Sequence, residues 1–289
     1  MDLIEHKEDL WVPMAVGALL DIDEPEYNWV VPGLLERGDR VILVGQEGKG
    51  KSMLLRQMGW QIASGIVPFS LEPMEPKRVL IIDLENSRLQ LKRSLINFTE
   101  RGHPAPENLF TLCIPEGVEL LKGSDPLGIQ TALALVNPDV AIIGPMYKLT
   151  VGTLGLEEVS TVLARQLDRW RTQFQCAIIL EAHQPQEQMS PSGKYRRMSP
   201  FGSSLWLRWP EFGMVLWDEG KITHWRGQRE ERDWPAQLYW GDVWPWEAGI
   251  AKCTQCGKAL NPDQLKFCSV ECGNANRQSR YRARRRGAQ

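Results

Sequence analysis

The chain has 289 residues, 43% of them hydrophobic and 24% charged, with a formal charge of −2. That usage excludes a disordered or collagen-like chain and allows one large domain with an appendage, or two small domains. The near-neutral total argues against a nucleic-acid partner only until it is divided: residues 250–289 carry +7, which leaves −9 for the rest.

An acidic body with a basic end points to a polyanion partner at that end. No run of 18 apolar residues exists, so no membrane helix is expected. The N-terminus MDLIEHKEDLW is too acidic for a signal peptide, and four of six cysteines are bunched at 253–272. A cytoplasmic location is expected, which for a phage-encoded chain is the host cytoplasm.

Residues 13–38, punctuated by Pro, Gly and acidic residues, read as a lead-in rather than core. From 40 onward, strand and helix signals alternate. RVILVG (40–45) is an apolar strand, followed by a helix over about 51–64 with Leu54, Leu55, Met58 and Ile62 on one face. RVLIIDLE (78–85) is a second strand, and a helix starts near Ser87 with Leu91, Leu95 and Phe98 in register. A strand follows at 109–114; Asp125 and Pro126 then supply an N-cap and an N1 proline for a helix to about 136.

VAIIG (140–144) is the next strand. A helix over 157–174 places Val159, Leu163, Leu167, Trp170 and Phe174 on one stripe, and CAIILEA (176–182) is a further strand. Doubly buried strands alternating with helices predict an α/β fold with a mostly parallel sheet covered on both faces. Residues 184–204 have no period and read as a long functional loop. Eight of the twelve tryptophans fall in 205–246 among short β-like runs. They read as core and cover of an antiparallel extension, with a base-stacking surface as the sharper alternative.

Gly45-Gln46-Glu47-Gly48-Lys49-Gly50-Lys51-Ser52 fits G-x-x-x-x-G-K-[ST] between a strand and a helix. Backbone N–H groups and the helix N-terminus suit ATP or GTP phosphates, Lys51 the β- and γ-phosphates, and the Ser52 hydroxyl Mg²⁺. Ligands in open α/β sheets collect at the carboxyl ends of strands, which selects Glu85, Gly144 and residues 181–183. Glu85 is suited to orient or deprotonate an attacking water. Asp83 is a candidate for supporting it or for Mg²⁺, and His183 for sensing the γ-phosphate. Gly144 stands where a metal-holding aspartate is expected. Trp29 and Tyr147 are candidate adenine contacts.

With these blocks in order, the body resembles RecA-fold ATPases of the RepA-like hexameric helicase group, related to DnaB-type replicative helicases and frequent in phages and plasmids. The resemblance spans roughly residues 28–240. It rests on NWVVPGLLERGDRVILVGQEGKGKS, IIDLENS, NPDVAIIGPMYKL, IILEAHQP, GSSLWLRWPEFGMVL and HWRGQRE. It implies a RecA-like P-loop fold and a homo-oligomeric ring, hexameric in this group, that hydrolyses ATP around single-stranded DNA. Glu85 takes the catalytic-carboxylate role and His183 the sensor role. Lys194, Arg196 and Arg197, in the loop 188–204, correspond to DNA contacts, and Arg226 and Arg229 to arginine-finger candidates. Gly144 departs from the group, which places an aspartate there.

Cys253-x2-Cys256-x11-Cys268-x3-Cys272 has four-cysteine zinc spacing. Arg277, Arg280, Arg282, Arg284, Arg285 and Arg286 follow directly and suit phosphates. The division expected is a lead-in (1–27), an ATPase domain (28–242), a linker (243–251) and a small zinc-binding module with an arginine-rich tail (252–289). The leading functional reading is an ATP- and Mg²⁺-dependent DNA motor, helicase or translocase, in replication of a phage or mobile element, working beside other replication proteins. The alternatives are an ATP-binding helicase loader or recombination mediator, and a zinc-module DNA-binding regulator.

Overall fold

Apolar runs of five or six residues bounded by glycine and charge become strands hidden on both faces, and the fold is built on them. The computed structural model describes residues 12–23, 27–152, 154–184, 202–227 and 232–249, together with 253, 255, 256, 258 and 269–275. The main sheet contains β3 (Arg40–Gly45), β4 (Val79–Asp83), β5 (Leu109–Cys113), β6 (Val140–Gly144), β7 (Ala177–His183), β8 (Phe212–Leu216) and β9 (Ile222–Arg226). Its order is β5-β4-β6-β7-β3-β8-β9, parallel except for β9.

Period-two alternation divides the sheet between two cores. Ile42, Val44, Ile82, Ile143, Leu180 and Ala182 face α4 (Asp125–Val136) and α5 (Glu157–Phe174). Val41, Leu43, Ile81, Ile142 and Ile179 face α2 (Lys51–Ala63), whose Leu54, Leu55, Met58 and Ile62 are all buried. Helix α3 (Arg88–Glu100) starts at the expected Ser87, which forms a capping box with Gln90. The RecA-like P-loop arrangement is present, with β7 lying between the phosphate-loop strand β3 and β6.

Several expectations are corrected. Residues 28–38 are core, not lead-in: β1 (Trp29–Val31) and β2 (Leu35–Glu36) form a hairpin whose Val30, Val31, Leu34 and Leu35 are buried against β3 and α2. Among the described residues ahead of them, the helix is α1 (Val16–Leu20), which is exposed. Strand β4 stops at Asp83, so Glu85 sits in the turn beyond it. Helix α4 begins at Asp125 itself, the preceding Ser124 makes no side-chain cap, and the Asp125 carboxylate accepts the Glu119 N–H at 2.8 Å.

The antiparallel extension is a single strand, β9. The later strands β10 (Leu238–Trp240) and β11 (Trp246–Ala248) pair with each other. Residues 241–248 do not lead away as a linker. The Arg101 guanidinium donates to the Gly241 and Asp242 carbonyls, and Trp244 stacks on His103 with centroids 3.6 Å apart. Of the eight C-terminal tryptophans, Trp206, Trp209, Trp234, Trp244 and Trp246 are buried and Trp225 is half-buried, as core and cover require. Trp217 and Trp240 are exposed.

Trp206 belongs to α6 (Leu205–Arg208), a short helix absent from the expected elements, and its indole donates to Ser160 Oγ at 2.9 Å. Among the described residues no helix is long and apolar enough to cross a membrane.

Candidate functional site

The carboxyl ends of β3, β7, β6 and β4 deliver Gly45, Glu181, Gly144 and Asp83 to the face that carries α2, with Asp83 opposite Gly144 and Gly45 two residues beyond the level of Glu181. Gly45 ends β3, residues 46–50 turn, and Lys51 begins α2. Gly50 holds φ 86°, and a side chain there would meet the Trp246 indole at 2.8 Å, so glycine is needed for both conformation and space. The Trp246 indole donates to the Gly50 carbonyl at 3.2 Å, and the Trp246 backbone exchanges two hydrogen bonds with the Gln57 amide. The phosphate loop is therefore buttressed from outside by β11.

Lys51 is 3% exposed and donates to the Gln46 carbonyl at 3.1 Å across the mouth of the loop. Burial lowers its pKa from the ordinary lysine value, against the opposing pull of Glu181, Glu85 and Glu47. Lys49 pairs with Asp218 at 2.8 Å. Glu47 and Gly48 are exposed at the tip.

The Ser52 hydroxyl donates to Glu181 Oε1 at 2.7 Å. Glu181 is buried, and it was legible in the sequence only as one of three residues at a strand end. Its partnership with Ser52 needed the sheet order. Asp83 holds no free edge for a cation among the described residues. Its Oδ1 accepts the Glu85 and Asn86 backbone N–H groups, and its Oδ2 pairs with Arg56 at 2.9 Å. It thus shapes the turn that presents Glu85, which is exposed and accepts the Tyr147 hydroxyl at 3.3 Å. Burial and the Glu85 carboxylate raise the Tyr147 phenol above its usual pKa.

His183 lies opposite Gly45 in register, edge-on to Tyr147. Its Nε2 is buried with no partner among the described residues, so the ring has an unused polar atom near the loop. The face of Trp29 is already covered by the Arg232 guanidinium, 4.5 Å from the ring centroid, while Tyr27 stacks on the same ring.

Arg226 is exposed at the end of β9, opposite Gly213, about 10 Å down the sheet from the loop by strand geometry. Arg229, Lys194, Arg196 and Arg197 lie outside the described residues, as do Cys268 and Arg277, Arg280, Arg282, Arg284, Arg285 and Arg286.

At the C-terminal end, the ligand atoms of Cys253, Cys256 and Cys272 lie within 4.8 Å of one another. Tetrahedral zinc–thiolate geometry needs sulfurs about 3.8 Å apart, so this trio fits the metal. The Cys253 N–H donates to the Lys258 carbonyl at 2.7 Å, which closes the first cysteine turn. Residues 270–275 are helical and carry Cys272.

No curated protein matches the chain. Among solved structures, a KaiC-like protein from the hyperthermophilic archaeon Pyrococcus horikoshii is similar at 14% identity and a TM-score of 0.47. The match covers 78% of this chain and 95% of that one. A family model described as "AAA domain" matches residues 12–189, which include the phosphate loop, Glu85 and the 181–183 strand end. The chain belongs to that AAA-domain family of P-loop ATPases.

Proposed function

We propose that this ATPase is a motor on single-stranded DNA, working as a homo-oligomeric ring of the RepA-like helicase type in replication of a mobile element. The reading is supported by the grouping of Lys51, Ser52, Glu85 and His183 around one phosphate loop, and by the basic loop 188–204 that follows His183 in the sequence. Lys51 neutralises β- and γ-phosphate charge, and Glu85 takes the proton of the attacking water. His183 Nε2 is the group available to read the γ-phosphate and pass its loss to the following segment. Ser52 is the side chain that would hold Mg²⁺, whose chemistry is to neutralise phosphate charge during transfer.

Arg226 and Arg229 would act on the site of a neighbouring subunit, since Arg226 stands away from its own loop. Zinc held by Cys253, Cys256, Cys268 and Cys272 would fold the terminal module, and its arginines would add salt-dependent affinity for the strand. Lys194, Arg196 and Arg197 are the proposed channel contacts.

Gly144 favours a second reading, an ATP-binding loader or mediator that does not unwind. ATP turnover with and without single-stranded DNA, measured beside strand displacement, separates the two. DNA-stimulated turnover with displacement supports the motor, whereas ATP-gated DNA binding without either supports the loader.

A further inference from the structure

Two features of the site are one feature in space. Gly144 lacks the carboxylate that phosphate-loop enzymes place at the end of this strand, and Glu181, one strand nearer the loop, has a carboxylate buried against Ser52. A Cβ built on Gly144 would lie 2.4 Å from the Glu181 Cβ and 3.3 Å from its Cα. Real carbon atoms do not approach so closely, and the second contact is backbone, which cannot swing away. An acidic side chain at 144 is therefore incompatible with Glu181 in this position. Glycine at 144 leaves the room that the Glu181 Cβ occupies beside the end of β6, and from there the carboxylate reaches Ser52.

We infer that Glu181 replaces the missing strand-end aspartate as the carboxylate that holds the magnesium of bound nucleotide, acting with Ser52. This rests on the reading of the loop as a nucleotide site. A serine oxygen that gives a lone pair to a cation must direct its proton to an acceptor, and Glu181 Oε1 accepts that proton at 2.7 Å. The same carboxylate acts on the Lys51 charge as well as accepting the Ser52 hydroxyl. Magnesium keeps several waters and needs only one or two protein carboxylates, so a carboxylate on β7 serves as well as one on β6. Asp83 is not available for the task, being engaged by Arg56 and the Glu85 turn.

The test is nucleotide binding by the full chain, using a fluorescent ADP analogue titrated with Mg²⁺ or in EDTA, with Mn²⁺ EPR as a direct metal readout. The wild type should bind more tightly with metal. Glu181→Gln should keep its EDTA affinity and lose the metal-dependent gain, with Mn²⁺ affinity down about 10- to 100-fold. Gly144→Asp alone should lower the melting temperature through the clash. The exchange Gly144→Asp with Glu181→Gly, which removes the clashing Cβ, should melt above Gly144→Asp alone and regain metal dependence. The inference is overturned if Glu181→Gln keeps the full metal-dependent gain, or if its loss is not repaired by the exchange. No nucleotide binding by the wild type in either condition would instead remove the nucleotide-site reading itself.

Discussion

At the scale of single residues the site is a set of charges held by short tethers. Lys51 is buried and folded onto Gln46, so its ammonium is already desolvated and aimed at the mouth of the loop. Lys51→Ala should cut ATP turnover by more than about 100-fold, the order found when a preorganised electrostatic donor is removed. Glu85→Gln should lower turnover by about 10²- to 10⁴-fold while nucleotide affinity stays within a few-fold, as expected for a proton acceptor. A steady-state ATPase assay beside nucleotide binding checks both. Asp83 acts one step back, through the two N–H groups it anchors and its buried pairing with Arg56. The motif made Lys51 and Ser52 legible from spacing alone. Glu181 was visible only as a strand end, because which strand lies beside the loop is a property of sheet order.

At the scale of elements, β11 decides how well the loop is held, and the β1–β2 hairpin closes the core over β3 and α2. Trp246 covers Gly50 and exchanges hydrogen bonds with Gln57, although nearly 200 residues separate them in the chain. Trp246→Ala should destabilise the fold by about 3–5 kcal/mol, the usual cost of emptying a buried indole site. It should also weaken nucleotide binding several-fold, readable by thermal melting with and without ADP.

The hairpin is tied through Arg232, which pairs with Glu36 and Asp39 and lies over Trp29 and Phe212. Burial pushes the Asp39 carboxyl up to about 6, opposed by the Glu36 N–H and Arg232 and assisted by Glu211 and Glu36. The folded state thus binds this proton more tightly than the unfolded one. Its contribution is fully present below about pH 4 and is lost as pH rises through about 6. Asp39→Asn should flatten that fall, with a difference of up to about 3 kcal/mol across the window before partial solvent screening reduces it. Denaturant melts between pH 4 and 7 measure it.

At the scale of the whole molecule, the charge division is joined to the fold by a short path. Strand β11 ends at Ala248 and Cys253 follows five residues later, so the basic end begins where the loop's outer support stops. Chelating the proposed zinc should release the terminal module and weaken single-stranded DNA binding, while nucleotide affinity changes little. Replacing the six tail arginines with glutamine should lower the slope of log affinity against log salt by up to about 4, at roughly 0.7 per phosphate contact on a single strand. A titration of labelled oligonucleotide at several salt concentrations reads both effects. Any shortened chain should end beyond residue 248, because Trp244 and Trp246 are part of the body.

The sequence by itself determined the phosphate loop, the alternation that builds a doubly covered parallel sheet, the amphipathic helices and the cysteine spacing. Each of these is local: a period of 2 or 3.6, a cap, or a motif a few residues long. Tertiary structure decided what depends on strand order and on packing between distant segments. It moved residues 28–38 into the core, took Glu85 out of the strand and turned an expected linker into a buttress. It also set Glu181 against Ser52, 129 residues away, in the space that Gly144 leaves open. A glycine in a motif shows that a side chain is missing; only its neighbour across the sheet shows what stands in the place.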